Sequence, residues 1–334
     1  MNQRRHILWL VISLFISLLV GCGAVSEDDA QTEPEVVETY AQKQLEDTAW
    51  KNNLAVFFLR GDVEYADYDT QTMGAGQSIL MIAPDGSAML VDFNGMINGA
   101  YTAQVLSDLG IKELSCAVLT SWGISYTGGM PAVLRNIAVE KLYTCPLNES
   151  NIAGYANGQY LVQEHQLELV VLQGGEMFQL GSDVHIEVLN PAQGMDYEAL
   201  EKNLLLKITY GESSFLIGGQ ISAATEKALV EQWGTELCAD VVNMNNCGSQ
   251  GSGVKEWVST IGAKAVIGQS NIVQSDSVMG RWMLSGADVF HTAIDGTVLV
   301  TTAGDGTYGI QVEYSRMSEE YPMPEMADGY TVIG

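Results

Sequence analysis

The chain has 334 residues, enough to bury the core of one large α/β domain or of two smaller ones. Acidic residues number 41 against 15 basic ones, and the formal net charge is −26. Sequence-independent binding of nucleic acid depends on Lys and Arg side chains that neutralise phosphates, so this balance argues against direct contact with nucleic acid.

The N-terminus has the pattern of an export signal. Arg4 and Arg5 precede an apolar stretch over residues 7–20, which is shorter than the roughly 20 residues of a membrane span. The stretch ends in Leu19-Val-Gly-Cys22, which resembles a bacterial lipobox. We therefore interpret residues 1–21 as a lipoprotein signal peptide and Cys22 as the lipidated residue, anchored at the outer face of the cell membrane. The alternatives are a simple signal peptide with an incidental cysteine and a single membrane helix.

Two terminal segments look poorly suited to a packed core. Residues 22–53 begin with an acidic stretch that has few large apolar side chains, and we interpret them as a tether. Residues 317–334 carry several Glu and Pro residues and are interpreted as a loose tail. The folded domain is thus expected over residues 54–316.

Within that domain, strand patterns alternate with helix patterns. Strands are predicted at Leu54–Leu59, Ser78–Ile82, Ala88–Asp92, Leu114–Leu119, Lys141–Cys145, His185–Leu189, Leu204–Tyr210, Ser214–Ile217, Asp240–Asn243, Ala265–Ile267, Val298–Thr302 and Gly309–Tyr314. Helices are predicted at Ala100–Leu109, Ala223–Trp233, Val254–Ile261 and Ser277–Leu284. Strands followed by helices, occurring twice, suit two stacked sheets with helices outside.

One segment between a predicted strand and a helix-like stretch is specific. It is Thr120-Ser-Trp-Gly-Ile-Ser-Tyr-Thr-Gly-Gly129, and it resembles the metal loop of the metallo-β-lactamase superfamily, Thr-His-x-His-x-Asp-His-x-Gly-Gly. Thr120, Gly128 and Gly129 match that pattern. The four ligand positions hold Ser121, Gly123, Ser125 and Tyr126.

The resemblance extends over roughly residues 54 to 314 and is strongest to the metallo-β-lactamase domain of ComEC-type competence proteins. Further segments follow in the order of that family: Met73–Leu80, Pro84–Gly95, Asn203–Gly211, Ser214–Gln220, Ala239–Ser249 and Asp295–Thr302. The resemblance implies an α/β fold, the four-layer αββα metallo-β-lactamase-like sandwich.

The ligand positions depart systematically from the family. Gln220 stands at the position of the bridging aspartate, and Asn246 and Cys247 stand at the position of a His-His pair. A zinc hydrolase site needs imidazole and carboxylate donors plus an open position for water. His6, His165, His185 and His291 match no ligand position. We therefore predict no metal or other cofactor.

The same comparison predicts where a pocket lies. Asp92 matches the family's aspartate behind the metal loop, and we expect it to support the loop structurally. The expected pocket consists of Ser121, Trp122, Gly123, Ser125, Tyr126, Gln220, Asn246 and Cys247.

Three smaller features have competing interpretations. Asp62–Asp69 carries four carboxylates but lacks an EF-hand pattern, so a solvated loop is favoured over a calcium site. Gly248–Gly253 is favoured as a plain loop over an anion cradle.

The cysteines that follow Cys22 allow three pairings. Cys116 and Cys145 are expected to be buried free thiols, and a nucleophilic role for Cys247 lacks a nearby base in sequence.

Two classes of function follow. The favoured one is a lipid-anchored extracytoplasmic protein of the metallo-β-lactamase fold that has lost its metal site and binds a small polar ligand, a sugar or a cell-envelope protein. The alternative is a hydrolase of the ComEC-like type, acting on a phosphodiester or related ester through non-standard ligands. A third possibility is an accessory protein in DNA uptake, which the negative charge disfavours.

Overall fold

A computed structural model of the chain describes residues 50–61, 76–147, 152–197, 200–314 and 330–333, and for residues 152, 153 and 330–333 it describes only the backbone. The signal peptide at 1–21, Cys22, most of the tether, the acidic loop at 62–69 and most of the tail lie outside these residues. No helix among the described residues is both long and apolar enough to cross a membrane.

Two sheets contain nearly all of the strands. The first has the order β18-β17-β16-β1-β2-β3-β5-β7-β8. Its strands are β1 Leu54–Phe58, β2 Ile79–Ile82, β3 Ala88–Val91, β5 Cys116–Leu119, β7 Lys141–Thr144, β8 Glu168–Val171, β16 Val298–Thr302, β17 Tyr308–Val312 and β18 Tyr330–Ile333. Strands β3, β5, β7 and β8 run parallel, and their neighbours from β18 to β3 pair antiparallel.

The second sheet has the order β15-β14-β13-β12-β11-β10-β9. Its strands are β9 Met177–Leu180, β10 Val184–Asn190, β11 Leu205–Tyr210, β12 Ser213–Gly218, β13 Val241–Asn243, β14 Ala265–Gly268 and β15 Asp288–His291. Strands β4 Glu113–Leu114 and β6 Ala138–Val139 form a separate small pair. Each large sheet therefore combines antiparallel and parallel pairs.

The helices lie outside the two sheets. They are α1 Gly99–Asp108, α2 Ile124–Thr127, α3 Met130–Leu134, α4 Ile152–Glu164, α5 Ala223–Trp233, α6 Lys255–Ile261, α7 Asp276–Leu284 and α8 Thr292–Asp295. Apolar side chains of α1 and α3 join the core of the first sheet, whereas α5, α6 and α7 cover the second.

The alternation of side chains along the strands divides the interior into two cores. In β11, Leu206 points into the core shared by the two sheets and Leu205 points into the core under α5, α6 and α7. Val241 and Val242 of β13 divide in the same way. Successive strand residues face opposite sides of a sheet, so a strand with helices on one side and a sheet on the other is apolar throughout. The predicted four-layer αββα sandwich is confirmed.

Most elements lie within one or two residues of their predicted bounds, and Ala223–Trp233 and Val298–Thr302 have those bounds. The predicted strand over 114–119 is interrupted at Ser115, where β4 ends and β5 begins. Helix α4 was not predicted, because its glycines Gly154 and Gly158 are poor helix formers. Strands β8, β9, β15 and β18 were also missed, as was the small pair partner β6, and β18 pairs with β17 within the segment that was interpreted as a loose tail.

Candidate functional site

The segment from Thr120 to Gly129 leaves the end of β5 and is held from behind by Asp92. The Asp92 carboxylate accepts the backbone N–H of Thr120 at 2.8 Å and its hydroxyl at 2.6 Å. Asp92 is completely buried, and burial raises the pKa of its carboxyl to about 8. The carboxyl group orders the start of the loop and lies behind it.

Gln77 connects this carboxyl to the second sheet. Its side-chain amide donates to Asp92 at 2.8 Å, and its carbonyl oxygen accepts from Asn243 at 2.8 Å. Asn243, at the end of β13, also accepts the N–H of Gly218 at 2.8 Å. All of these side chains are buried. A continuous polar network therefore crosses the interface between the sheets beneath the candidate site, and buried networks of this kind are stable only when their members are paired.

A cavity of about 280 Å³ opens where the loop at 120–129 meets three loops from the second sheet, which follow β12, β13 and β14. Gln220 is exposed at the opening, and most of the other polar side chains of the lining are half-buried. Among the described residues, the lining consists of Gly123, Ile124, Ser125, Tyr126, Gln220, Asn246, Cys247, Ser249 and Gln274. None of these side chains is an acid or a base of the Asp, Glu, Lys, Arg or His type.

Gln220 reaches the cavity from a turn that follows β12. The side chain of Asn203 donates to the carbonyl oxygen of Gln220 at 2.6 Å, and the N–H of Leu204 donates to that of Thr120 at 2.8 Å. The hydroxyl of Ser121 donates to the side-chain oxygen of Gln220 at 3.4 Å. These contacts join the loop at 120–129 to the turn at 218–220.

The third side of the cavity is a turn in an uncommon backbone conformation. Asn246, Cys247 and Gly248 have φ angles of 49°, 53° and 71°, so two non-glycine residues in succession are left-handed. This conformation is costly for residues that carry a Cβ atom and persists only where surrounding contacts hold it. It directs the thiol of Cys247 toward the hydroxyl of Tyr126, with the two atoms 4.0 Å apart.

Both of these groups keep their protons. Burial raises the pKa of Cys247 to about 11 and raises that of Tyr126 well above its ordinary value. A thiolate is the nucleophilic form of cysteine, so this environment does not activate Cys247. Cys116 and Cys145 are buried free thiols as expected, and Cys238 is a free, exposed one.

Two of the eight predicted pocket residues lie outside the lining of the cavity. Trp122 was expected at the rim, but its side chain is buried beneath α4 and donates to the carbonyl oxygen of Cys145 at 3.0 Å. Gly154 and Gly158 of α4 approach it so closely that a Cβ atom would lie 1.9 Å from its carbonyl oxygen and 2.4 Å from its ring. Ser121 is also buried and contacts the cavity through Gln220. The other six predicted residues line the cavity.

The two glycines that match the family pattern are required by close packing. A Cβ atom at Gly129 would lie 1.9 Å from the carbonyl oxygen of Phe93, and one at Gly128 would lie 2.4 Å from the N–H nitrogen of Met96. Their presence therefore reflects the backbone path after the loop and does not depend on a metal.

The donor set does not fit the two-metal centre that the family resemblance implies. Hydroxyl, amide and protonated thiol groups surround the cavity, and none of them equals neutral imidazole or carboxylate as a zinc ligand. No group of three or more His, Cys, Asp and Glu side chains with ligand geometry occurs among the described residues. Asp92 already accepts hydrogen bonds from Gln77 and Thr120.

The residues that support the cavity lining from behind could not be assigned from the sequence. Gln77 and Asn203 lie inside segments that resemble the family, but their roles depend on partners far along the chain. Asn243 also lies in such a segment, 239–249, and its partner Gln77 is 166 residues away. Gln274 and Glu226 lie in none of these segments. In the sequence, Glu226 is simply a carboxylate in a helix whose apolar residues face a core.

No protein-family model and no curated protein matches this chain. Among solved structures it resembles CmlA, a diiron β-hydroxylase from Streptomyces venezuelae, with 14% identity and a TM-score of 0.46 over 75% of this chain. The matched region is 54% of CmlA, so the chain spans about half the length of that enzyme. Zn²⁺-bound PqqB from Methylobacterium extorquens has 11% identity and a TM-score of 0.48, over 73% of this chain and 99% of PqqB. The metallo-β-lactamase SMB-1 has 12% identity and a TM-score of 0.36, over 51% and 73% of the two chains. These neighbours are proteins of the metallo-β-lactamase superfamily.

Proposed function

We propose that this chain is a metallo-β-lactamase-fold protein without the family's metal centre, and that it binds a small uncharged polar molecule. The observation that carries the proposal is the lining of the cavity at 123–126, 220, 246, 247, 249 and 274, in which the polar groups are amides, hydroxyls and a protonated thiol. Such groups both donate and accept hydrogen bonds, and they leave the site neutral over the physiological pH range.

The chemistry of this lining selects against charged ligands. An ion that enters the cavity loses water and finds no side chain of opposite charge among the described residues of the lining, so its desolvation is poorly compensated. A neutral polyol or amide exchanges its water hydrogen bonds for those of Gln220, Asn246 and Gln274 at a smaller cost. The volume of about 280 Å³ suits a molecule about the size of a monosaccharide.

Loss of the metal centre is tested by metal analysis of residues 23–334, purified without chelators and without metal from an affinity tag. We expect less than about a tenth of an equivalent of zinc, manganese or iron, because the described lining offers no imidazole or carboxylate donor. One equivalent or more would mean that ligands outside the family pattern converge here, and the proposal would be wrong.

Ligand binding is tested by ligand-observed NMR with neutral monosaccharides and with their phosphorylated counterparts. We expect the neutral compounds to bind and the phosphorylated ones to bind at least tenfold more weakly. Replacing Ser125 by Phe fills the cavity and should abolish binding. The control is Ser277→Phe, the same change at an exposed serine of α7, which should leave binding intact. Binding that survives Ser125→Phe would place the ligand elsewhere.

Lipid attachment at Cys22 is part of the same proposal. Its support is the sequence of residues 4–22, in which basic residues, a short apolar stretch and a terminal Leu-Val-Gly-Cys follow one another. Metabolic labelling with a radioactive fatty acid should mark the wild-type protein and should not mark Cys22→Ser. Labelling of the Cys22→Ser variant would assign lipidation to another residue, whereas an unlabelled wild-type protein would rule out the anchor.

A further inference from the structure

Glu226 is a buried carboxylate in α5 that serves one loop. It has no solvent exposure, yet it accepts three hydrogen bonds. Its donors are the side-chain amide of Asn245 at 2.9 Å, the N–H of Gly253 at 2.8 Å and the N–H of Val254 at 2.9 Å. All three donors belong to the segment 245–254. A carboxylate removed from water is stable only with such compensation, so its position is tied to that segment.

The three donors lie at the two ends of the segment. Asn245 begins it, with one residue between it and the end of β13, and Gly253 and Val254 end it, directly before α6. The Glu226 side chain therefore links the two ends of the loop, and we call its three hydrogen bonds to Asn245, Gly253 and Val254 the clasp. Among the described residues, Arg281 of α7 is a positive charge that acts on Glu226 electrostatically, and it donates to the carbonyl oxygen of Ser252 at 3.2 Å.

The clasped segment is the one that carries the left-handed turn of the ligand cavity. Asn246, Cys247 and Ser249 line the cavity, and the turn at 246–248 has an intrinsically unfavourable backbone. The segment also has neutral hydrogen bonds of its own: the hydroxyl of Ser252 donates to the carbonyl oxygens of Asn245 and Ser249, the side-chain amide of Asn246 donates to the hydroxyl of Ser249, and backbone bonds join Asn246 to Ser249 and Ser249 to Ser252. The N–H of Asn246 donates to the carbonyl oxygen of Gly219 at 2.9 Å, which ties the segment to the turn that follows β12. Most of these neutral bonds span only three residues, whereas Glu226 accepts from three donors and joins both ends of the segment to α5.

We infer that Glu226 is a positioning residue of the ligand site: it holds the segment 245–254 closed and thereby fixes Asn246, Cys247 and Ser249 at the cavity. This inference rests on the proposed function for its purpose, but the clasp itself can be measured without a ligand. It agrees with the interpretation of Gly248–Gly253 as a loop rather than an anion cradle, because the N–H of Gly253 is already bonded to Glu226.

The test uses the reactivity of Cys247 as a local reporter. The full chain carries Cys238→Ser in the background, which removes an exposed thiol, and iodoacetamide labelling is followed by peptide mass spectrometry. In Glu226→Gln an NH₂ group replaces one carboxylate oxygen and faces a donor of the segment, so the segment should open. We expect Cys247 to be labelled at least tenfold faster, with Cys116 and Cys145 unchanged, since they report the core.

The matched control is Glu201→Gln. Glu201 also accepts hydrogen bonds near α5, from the hydroxyls of Ser222 and Thr225, but it makes no contact of this kind with the segment 245–254. Its replacement should leave the Cys247 rate unaltered. An unchanged Cys247 rate in Glu226→Gln would overturn the inference. A parallel rise at Cys116 and Cys145 would also overturn it, because the role would then be general stability.

A milder pair of variants applies if Glu226→Gln does not fold. Val254→Pro removes one donor to Glu226 at a residue whose φ of −65° suits proline, and Val254→Ala retains the donor. We expect Cys247 to be labelled faster in Val254→Pro than in Val254→Ala, and equal rates would overturn the inference. If the clasp is verified while the neutral monosaccharides fail to bind the wild-type protein, the proposed ligand is wrong and the clasp stands.

Discussion

Asp92 and Thr120 are joined by two hydrogen bonds at the base of the candidate site, one to the backbone N–H of Thr120 and one to its hydroxyl. The contact is buried between the sheets, and the two residues are 28 positions apart. Asp92 thus fixes the start of the loop at 120–129 through hydrogen bonds within the chain. The loop keeps its shape because its anchor is a hydrogen-bonded carboxyl group.

This carboxyl should make stability depend on pH. Burial raises the pKa of Asp92 from 3.8 to about 8, so the folded state binds the proton more tightly than the unfolded chain. Asp92 therefore lowers the free energy of unfolding as pH rises from about 4 to about 8. Asn does not titrate, and the destabilisation caused by Asp92→Asn should be larger at pH 5 than at pH 8. Urea unfolding of both proteins at these pH values measures it, and a pH-independent difference would contradict it.

His291 should act in the opposite direction. Burial lowers its pKa from 6.5 to about 4, and the nearby Asp295 offsets this only in part. The unfolded chain takes up the proton first, so stability is lost as pH falls from about 6.5 to about 4. His291→Asn keeps an acceptor for the N–H of Ala293, which His291 caps at 3.1 Å. The stability advantage of the wild-type protein over this variant should shrink by roughly 2 kcal/mol between pH 7 and pH 4.5. Thermal unfolding of both proteins across this pH range measures the advantage. A stability difference that stays constant with pH would refute the prediction.

Cys247 should react slowly with thiol reagents in the wild-type protein. Its pKa of about 11 leaves little thiolate at pH 8, and the side chain is nearly inaccessible. We expect iodoacetamide to label Cys247 on the order of a hundredfold more slowly than the exposed Cys238. Fast labelling of Cys247 would instead indicate an activated nucleophile and would favour the hydrolase alternative.

The glycine at 129 should be irreplaceable for steric reasons. Gly129→Ala would bring a Cβ atom against the carbonyl oxygen of Phe93 and the Cα atom of Gly99, and we expect a loss of about 3 kcal/mol in the free energy of unfolding. The control is Gly280→Ala in α7, where the new atom meets nothing within 4 Å. It should stabilise the protein by about 0.5–1 kcal/mol, because alanine favours a helix. Equal effects in chemical denaturation would exclude the steric explanation.

The interpretations that came from local patterns agree well with the fold. Val298–Thr302 and Ala223–Trp233 were predicted with their observed bounds, because continuous apolar runs and helical spacing act within a single element. Helix α4 was missed for a physical reason: Gly154 and Gly158 weaken its pattern, yet they are there so that Trp122 can pack against the helix. The same packing explains why Trp122 is buried rather than at the rim.

The amino-acid sequence by itself determined the fold class and identified most of the cavity lining, since strand and helix periodicity and the ordered family-like segments are readable along the chain. Only the tertiary structure decided what supports that lining. Gln77 meets Asn243 across 166 residues, and Glu226 meets Gly253 across 27. Such hydrogen bonds form when sheets and helices pack together, and their partners share no spacing that a local pattern could reveal.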